Sequence, residues 1–172
     1  DYRAFMKCIF VRNYFQAVED FKKALSLNGD TYVMDHSYYF YLGLSFLQLN
    51  DFNQAEIYFQ KSIDNSRRNN GEKWIHYLDW FYLGVTYCEK RNYQEAIVSF
   101  NKSLVDYSNF SDAKYYKAMC LKHLNKFGLA FPIFKEALKD LKIGYTINED
   151  NAKYVKYPYQ IDMEIIQLEI KE

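Results

Sequence analysis

The chain has 172 residues, of which 49% are hydrophobic, and its 22 basic and 22 acidic side chains give a formal net charge of zero. A neutral chain lacks the positive surface with which duplex nucleic-acid binders neutralise phosphates, so we expect no nucleic-acid partner. Aromatic residues make up 20% of the sequence, which argues against disorder, and no apolar run reaches the roughly 18 residues of a membrane-spanning helix.

Four similar segments follow one another along the chain. Each has an aromatic residue, an alanine three positions later and a phenylalanine four positions after the alanine; the segments are residues 13–25, 51–63, 92–104 and 126–138. Spacings of three and four residues place side chains on one face of an α-helix. Each segment therefore predicts a helix with one apolar face, and their recurrence predicts a helical repeat array.

A second pattern precedes two of these segments. Its members are Tyr39, Leu42, Gly43 and Phe46 in one copy and Trp80, Leu83, Gly84 and Tyr87 in the other. These residues also have helical spacing, and the dipeptides Asn50-Asp51 and Arg91-Asn92, which follow them, favour tight turns. Each unit is thus predicted to be an antiparallel helical hairpin in which small residues allow the two backbones to approach closely.

Together the two patterns resemble the tetratricopeptide repeat family. The resemblance implies an all-α fold of the α-solenoid class, a right-handed superhelix of antiparallel helix hairpins, over residues 1–143. Its units would be about 1–28, 36–66, 77–107 and 111–141. Because the first unit begins within a helix at Asp1, we expect further sequence upstream.

The chain departs from the family pattern in three respects. The closing proline is missing from every unit, and insertions around residues 28–30 and 69–71 predict lengthened first helices or looped linkers. Pro132 falls inside the second helix of the last unit. It is expected to kink that helix or to delay its start until after Gly128.

The final segment, residues 144–172, has a different pattern. Ile161, Ile165 and Leu168 follow helical spacing, and Pro158 could open that helix at its first turn. The segment holds six acidic and three basic residues, whereas residues 111–143 hold seven lysines and three acidic residues. We therefore expect a capping helix that docks on the fourth unit, with a partner-binding or dimerising arm as the alternative.

No motif in the sequence indicates catalysis. The three histidines fall in different units, and the cysteines Cys8, Cys88 and Cys120 are far apart and odd in number, which favours neither a metal site nor a disulfide framework. The six glycines form no phosphate-binding loop and no nucleophile elbow. We predict no catalytic, metal-binding or cofactor-binding residues, and hence a protein that is not an enzyme.

The family resemblance implies that the first helix of each unit lines a concave, ligand-binding groove. The candidate groove residues at the corresponding positions are Phe40, Leu44, Phe81, Val85, Cys88, Tyr115, Met119 and Lys122. Family members that clamp a C-terminal carboxylate use lysine and asparagine where this chain has Phe40 and Leu44 and their equivalents. A carboxylate clamp is therefore disfavoured, and the groove is expected to be apolar and aromatic.

The predicted function is a non-catalytic scaffold that binds an apolar or aromatic-rich protein or peptide. The alternatives are a structural or dimerisation domain, or a regulatory peptide-sensing domain of a larger signalling or assembly protein. The groove could instead be covered by the tail, by upstream helices or by a second copy in a homodimer. Residue usage is typical of an AT-rich genome, and a weak likeness of the tail to those of exported bacterial repeat proteins favours a bacterial origin, with a cytoplasmic or an exported, periplasmic location left open.

Overall fold

A computed structural model describes residues 1–171 of the chain, in which the regular structure is helical apart from one small hairpin and residues 144–162 form turns and irregular backbone. The helices are α1 (Tyr2–Met6), continued by a π-helical turn (Lys7–Val11), α2 (Tyr14–Asn28), α3 (Tyr38–Gln48), α4 (Phe52–Asn70), a 3₁₀ turn (Glu72–Trp74), α5 (Tyr77–Glu89), α6 (Tyr93–Asp106), α7 (Ser111–His123), α8 (Phe127–Ile143) and α9 (Met163–Lys171). The chain divides into two compact units, an amino-terminal unit of residues 1–86 and a carboxy-terminal unit that begins at Tyr87.

In the amino-terminal unit, α3 packs against α2 and α4. Side-chain caps start the two outer helices: Asn13 accepts a hydrogen bond from the Gln16 amide at 3.2 Å, and Asp51 accepts one from the Gln54 amide at 3.1 Å. Such caps satisfy amides that have no partner within the helix. The core of this unit is rich in fully buried aromatic rings, contributed by helices α1 to α5, which are Phe5, Phe21, Tyr38, Phe40, Tyr41, Phe59, Phe81 and Tyr82.

The same tight turn joins the two helices of each hairpin. Its central residue, Arg12, Asn50, Arg91 or Asn125, has a positive φ of 58–60°. In three of the four turns the amide of the following residue bonds to the carbonyl five positions earlier, at 2.8–3.0 Å. These bonds satisfy carbonyls at the end of the first helix, and they confirm the tight turns predicted at Asn50-Asp51 and Arg91-Asn92.

Gly43 lets α3 and α4 approach closely. A β-carbon placed there would lie 2.8 Å from the Phe59 ring, which is fully buried. Because a core ring has no room to move aside, only glycine fits at this position. The close approach expected from the Leu-Gly pattern is thus present in this hairpin.

In the carboxy-terminal unit, α7 packs against α6 and α8, and α9 packs against α8. One hydrophobic cluster joins α7 and α8 to the tail. Its buried members are Tyr115, Ala118, Leu121, Ala130, Phe134, Ala137, Ile161 and Ile166. The tail therefore contributes to the core of this unit through side chains that lie outside the repeat pattern; its last residue, Glu172, is not among the described residues.

The structure differs from the expected boundaries at one of the two insertions and at Pro132. The first insertion leads into a looped linker, one of the two expected outcomes, which contains the β-hairpin of β1 (Tyr32–Val33) and β2 (His36–Ser37). The second insertion instead lengthens α4, which is the second helix of its pair and not the first. Pro132 does not delay α8, which begins before Gly128. Pro132 is the sixth residue of α8 and lies beyond the four amides that have no partner within a helix, so the helix continues through it with one interior hydrogen bond missing.

The tail helix also differs from its prediction. It begins at Met163, not at Pro158, because Asp162 accepts a hydrogen bond from the Ile165 amide at 3.1 Å and so caps the helix. The buried stripe is shifted as well: Ile166 is fully buried, whereas Leu168 is 64% exposed. Among the residues that the structure covers, none of the helices combines the length and the apolar character needed to cross a membrane.

Candidate functional site

Four candidate groove residues lie in the core of the amino-terminal unit. Phe40, Leu44, Phe81 and Val85 are at most 1% exposed. The Phe40 ring stacks on His36, with centroids 3.8 Å apart, and meets Tyr82 edge to face at 5.7 Å. These side chains therefore do not line an open surface, because the aromatic residues of the unit itself fill the space that a ligand would need.

The other candidates lie in the carboxy-terminal unit. Tyr115 is a buried member of the cluster that contains Ile161 and Ile166, and Met119 packs against that cluster. The Lys122 ammonium lies 2.8 Å from the Glu169 carboxylate of α9. Tyr115, Met119 and Lys122 therefore lie where α7 meets the tail, whereas the remaining candidate, Cys88, contacts Cys120 of α7.

Asp112 is the polar anchor of this contact. Its carboxylate accepts hydrogen bonds from the Ile161 amide and from the Thr146 hydroxyl, both at 2.8 Å, and from the Ser111 hydroxyl at 3.3 Å. Burial raises the pKa of Asp112 to about 6, while these hydrogen bonds act in the opposite direction. We refer to Asp112, Tyr115, Met119 and Lys122 on α7 as the tail-binding face.

Further contacts hold the segment that leads into α9. The Gln160 side chain donates to the Thr146 hydroxyl at 3.2 Å, and the Tyr159 hydroxyl donates to the Glu89 carboxylate at 2.9 Å. The Tyr159 ring also meets the Tyr116 ring edge to face, with centroids 6.0 Å apart. The tail is thus bound by polar groups at both ends of an apolar contact, as a peptide ligand would be.

The candidates chosen from the sequence omit Asp112. One signal could have revealed it, since it is an acidic residue at a first-helix position where the other units carry serine or leucine. A carboxylate among apolar groove positions needs donors, because a buried charge without them is costly. The identity of those donors, an amide and a hydroxyl of the tail, could not have been read from the sequence.

A polar cleft of about 500 Å³ lies in the amino-terminal unit. Its lining residues are Tyr32, Asp35, His36, Ser37, Ser62, Ser66, Asn70, Trp74, His76 and Asp79. The structure brings together His36 and His76, which the sequence assigns to different units, with ring centroids 4.8 Å apart. The His76 Nδ1 accepts a hydrogen bond from the Leu78 amide at 3.3 Å, so that lone pair caps α5 and is not available to a metal.

An apolar cleft of about 490 Å³ lies beside α8 in the carboxy-terminal unit. Phe127, Phe131 and Phe134 line it, together with the paired Lys122 and Glu169. Phe127 is 57% exposed and Phe131 is 40% exposed. The cleft therefore presents aromatic surface to solvent next to the tail-binding face.

Comparisons with known proteins identify the repeat and the fold. Residues 36–69 match the protein-family model of the tetratricopeptide repeat. The solved structures of similar fold include a MamA protein, 20% identical over 82% of this chain and 67% of that one with a TM-score of 0.62. They also include residues 41 to the end of MamA from Desulfovibrio magneticus RS-1, 13% identical over 78% and 70% of the two chains with a TM-score of 0.66.

A third similar structure is YrrB, described as a TPR protein with an unusual peptide-binding site. It is 17% identical over 77% of this chain and 63% of that one, with a TM-score of 0.62. No curated protein matches the chain. These likenesses establish the fold, and they confirm the all-α, helical-repeat class expected from the sequence.

Proposed function

Since this chain carries a tetratricopeptide repeat and has the fold of such proteins, we propose that it is a non-catalytic scaffold that binds a protein or peptide partner on the tail-binding face. One observation carries the proposal. The face already holds a peptide, the chain's own residues 159–170, by contacts that a separate chain could reproduce.

Three kinds of contact define the chemistry of the proposed partner. The Asp112 carboxylate accepts from a backbone amide, which any sequence offers, so it would orient a peptide without selecting it. The pocket around Tyr115 takes branched apolar side chains, and Lys122 pairs with a carboxylate. The partner would be an apolar segment with an acidic residue one turn or more beyond its anchoring side chain, bound as a helix in a groove.

The surroundings of the face support binding and not catalysis. Its carboxylate, Asp112, is enclosed by three donors of the protein, which leaves little access for a substrate. The neighbouring thiol of Cys88 has its pKa raised by the hydrogen bond to Cys120 and by burial, whereas nucleophilic cysteines have a lowered pKa. Phe40, Leu44, Phe81 and Val85 would serve the core in this proposal.

YrrB is described as having an unusual peptide-binding site, and this supports peptide binding by a chain of the same fold. The apolar preference expected from the sequence agrees with the cluster around Tyr115. The acidic preference is new, because it follows from the Lys122–Glu169 pair.

A competition experiment tests the proposal. A labelled peptide of residues 157–170 is titrated into the full-length protein and into its Ile166→Ala variant, and binding is followed by fluorescence anisotropy. The variant should bind at least about tenfold more tightly, because loss of a buried isoleucine weakens the attached tail by more than about 1.4 kcal/mol. Ile165→Ala is the matched control, since that side chain is 38% exposed, and it should leave the affinity unchanged.

Adding Tyr115→Ala to the Ile166→Ala variant locates the binding face. The proposal requires the double variant to bind the peptide more weakly than Ile166→Ala alone, because Tyr115 forms part of the apolar pocket. If Ile166→Ala binds the peptide no better than the wild-type protein does, the face does not accept a separate chain.

Self-association is a second candidate function, favoured by the apolar cleft beside α8. Exposed aromatic surface at Phe127 and Phe131 is the kind of patch that marks protein contacts. In sedimentation experiments, a mass that rises with concentration in the wild-type protein but not in Phe131→Ser would support it. A monomer at all concentrations would exclude it.

A further inference from the structure

Two cysteines of the carboxy-terminal unit are in contact. The Sγ atoms of Cys88, in the last turn of α5, and Cys120, on α7, are 2.7 Å apart. The sulfur atoms of a disulfide are about 2.05 Å apart. Carbon atoms that are not bonded are most stable at about 3.5–4.0 Å, and sulfur is larger than carbon, so this pair is closer than an ordinary contact.

The repeat brings the two residues together. Each cysteine lies on the first helix of its repeat, and the two repeats are consecutive. Residues that are far apart in sequence are therefore in contact between neighbouring helices. The two side chains differ in access: Cys120 is fully buried, whereas Cys88 is only partly buried. A reagent in solution would therefore meet Cys88 first.

We propose that Cys88 and Cys120 form an intrachain disulfide that links the end of α5 to α7. The oxidant would be a low-molecular-weight disulfide such as oxidised glutathione. The Cys88 sulfur, after loss of its proton, attacks the glutathione disulfide and releases one glutathione thiolate. The Cys120 sulfur, also deprotonated, then attacks the Cys88 sulfur and releases the second, so that two protein thiols are oxidised and one glutathione disulfide is reduced.

The third cysteine provides an internal comparison. Cys8 is 1% exposed, and its sulfur accepts a hydrogen bond from the Ser45 hydroxyl at 3.4 Å. Burial raises the pKa of Cys8 to about 12, which suits an unreactive thiol. The pKa of Cys88 is also raised, so oxidation of the folded protein should be slow at neutral pH.

The bond would act at the point where the tail meets the repeats. Glu89, next to Cys88, accepts the hydrogen bond from Tyr159, and Tyr116 on α7 contacts the Tyr159 ring. A disulfide would hold Glu89 and Tyr116 at a constant separation and so preserve the contacts of the tail. This inference does not depend on the proposed binding function, because it concerns only the thiols.

The experiment uses the full-length protein in its reduced form. It is incubated with oxidised glutathione, and its remaining free thiols are alkylated. The protein is then digested without reduction, and its peptides are mapped by mass spectrometry. We expect a loss of two hydrogen atoms from the intact mass, one linked pair of peptides that carry Cys88 and Cys120, and alkylation at Cys8 alone. The oxidised protein should melt about 10 °C higher than the reduced protein.

Two variants complete the test. Cys8→Ser should still lose two hydrogen atoms, whereas Cys88→Ser should lose none. Lasting attachment of glutathione at Cys88, a disulfide between two chains, or alkylation of both Cys88 and Cys120 would each overturn the proposal. Mapping of the wild-type protein needs no variant, so it decides the matter even if Cys88→Ser fails to fold.

Discussion

In each repeat the first helix carries the surface that was expected to line a groove. The two compact units bury this surface in different ways. In the amino-terminal unit the aromatic side chains of the helices do so themselves, with Phe40 enclosed by His36, Phe59 and Tyr82. In the carboxy-terminal unit a segment outside the repeats does so, and it places Ile161 and Ile166 against α7 and α8. A surface that is closed by its own core cannot be opened without unfolding, whereas the proposed function requires the surface closed by the tail to exchange that segment for a ligand.

The polar contacts follow the same division. The tail is held by the Asp112 carboxylate and the Lys122 ammonium, which suit a contact that forms and breaks in water. Phe40 is held by aromatic contacts instead, and its ring stacks on the His36 ring. The two kinds of closure should therefore respond differently to loss of a core ring, to pH, to added side-chain volume and to salt.

The largest effect is expected at Phe40. Phe40→Ala should lower the free energy of unfolding by about 3–5 kcal/mol, because it removes a fully buried ring and leaves a cavity among aromatic neighbours. Denaturant unfolding followed by circular dichroism measures it. Phe15→Ala is the control, since Phe15 is 65% exposed and should change stability by less than about 0.5 kcal/mol. Equal effects would show that Phe40 is not a core residue.

The pH dependence of the carboxy-terminal unit should report Asp112. Its pKa is raised to about 6 by burial, so the folded protein binds this proton more tightly than the unfolded chain does. Stability that is present below the unfolded pKa, about 3.9, is therefore lost as the pH rises through 6. Relative to Asp112→Asn, the wild-type protein should lose about 2–3 kcal/mol between pH 4 and pH 7.

Asp162→Asn is the control for that measurement. The pKa of the exposed Asp162 is lowered by hydrogen bonds from the Ile165 amide and the Lys156 side chain, so its smaller contribution should be lost as the pH falls. Unfolding curves at a series of pH values separate the two signs. Parallel pH profiles for Asp112→Asn and the wild-type protein would mean that the Asp112 carboxyl does not titrate in this range.

A volume change tests the close approach in the amino-terminal unit. Gly43→Ala should destabilise the protein by about 1–3 kcal/mol, because the new methyl group would overlap the buried Phe59 ring. Gly128→Ala is the matched control within a helix. A β-carbon there meets nothing within 4 Å, and the change should stabilise the protein by about 0.5–1 kcal/mol. Thermal unfolding that gives the same sign for both variants would contradict the packing described for α3 and α4.

The smallest effect is expected at the ion pair of the tail. A double-mutant cycle of Lys122→Ala and Glu169→Ala should give a coupling of about 0.5–1 kcal/mol, because both side chains are only partly buried. The coupling should shrink in 1 M salt. The exposed pair Lys156–Asp162 is the comparison, and its coupling should be smaller still.

The sequence predicts much of the helical framework, because the framework follows from local patterns. Alanine and phenylalanine at helical spacing locate α2, α4, α6 and α8, and the Asn50-Asp51 dipeptide locates a turn. The boundaries between hairpins were less predictable. The same inserted residues could form a loop, a β-hairpin or an extra helical turn, and the choice depends on packing elsewhere.

The candidate site was harder to predict, because it depends on contacts between distant segments. Periodicity favoured Ile165 and Leu168 as the buried side of the tail, but the Asp162 cap changes the start of α9 and Ile166 is buried instead. The partner of Lys122 and the neighbour of Cys88 also come from other helices. A single sequence carries no local signal for such pairs.

The uniform turn within each hairpin has a practical consequence for labelling the protein. Changes in chain length occur between hairpins, near Gly29 and Gly71, where a β-carbon would meet no atom within 4 Å. A fluorophore-bearing loop or an epitope inserted directly after either glycine should therefore be accommodated if the glycine, whose φ is positive, is kept, whereas the same insertion at Asn50 or Arg91 would disrupt the tight turn inside a hairpin. These two glycines offer attachment points for distance measurements that leave each pair of helices intact.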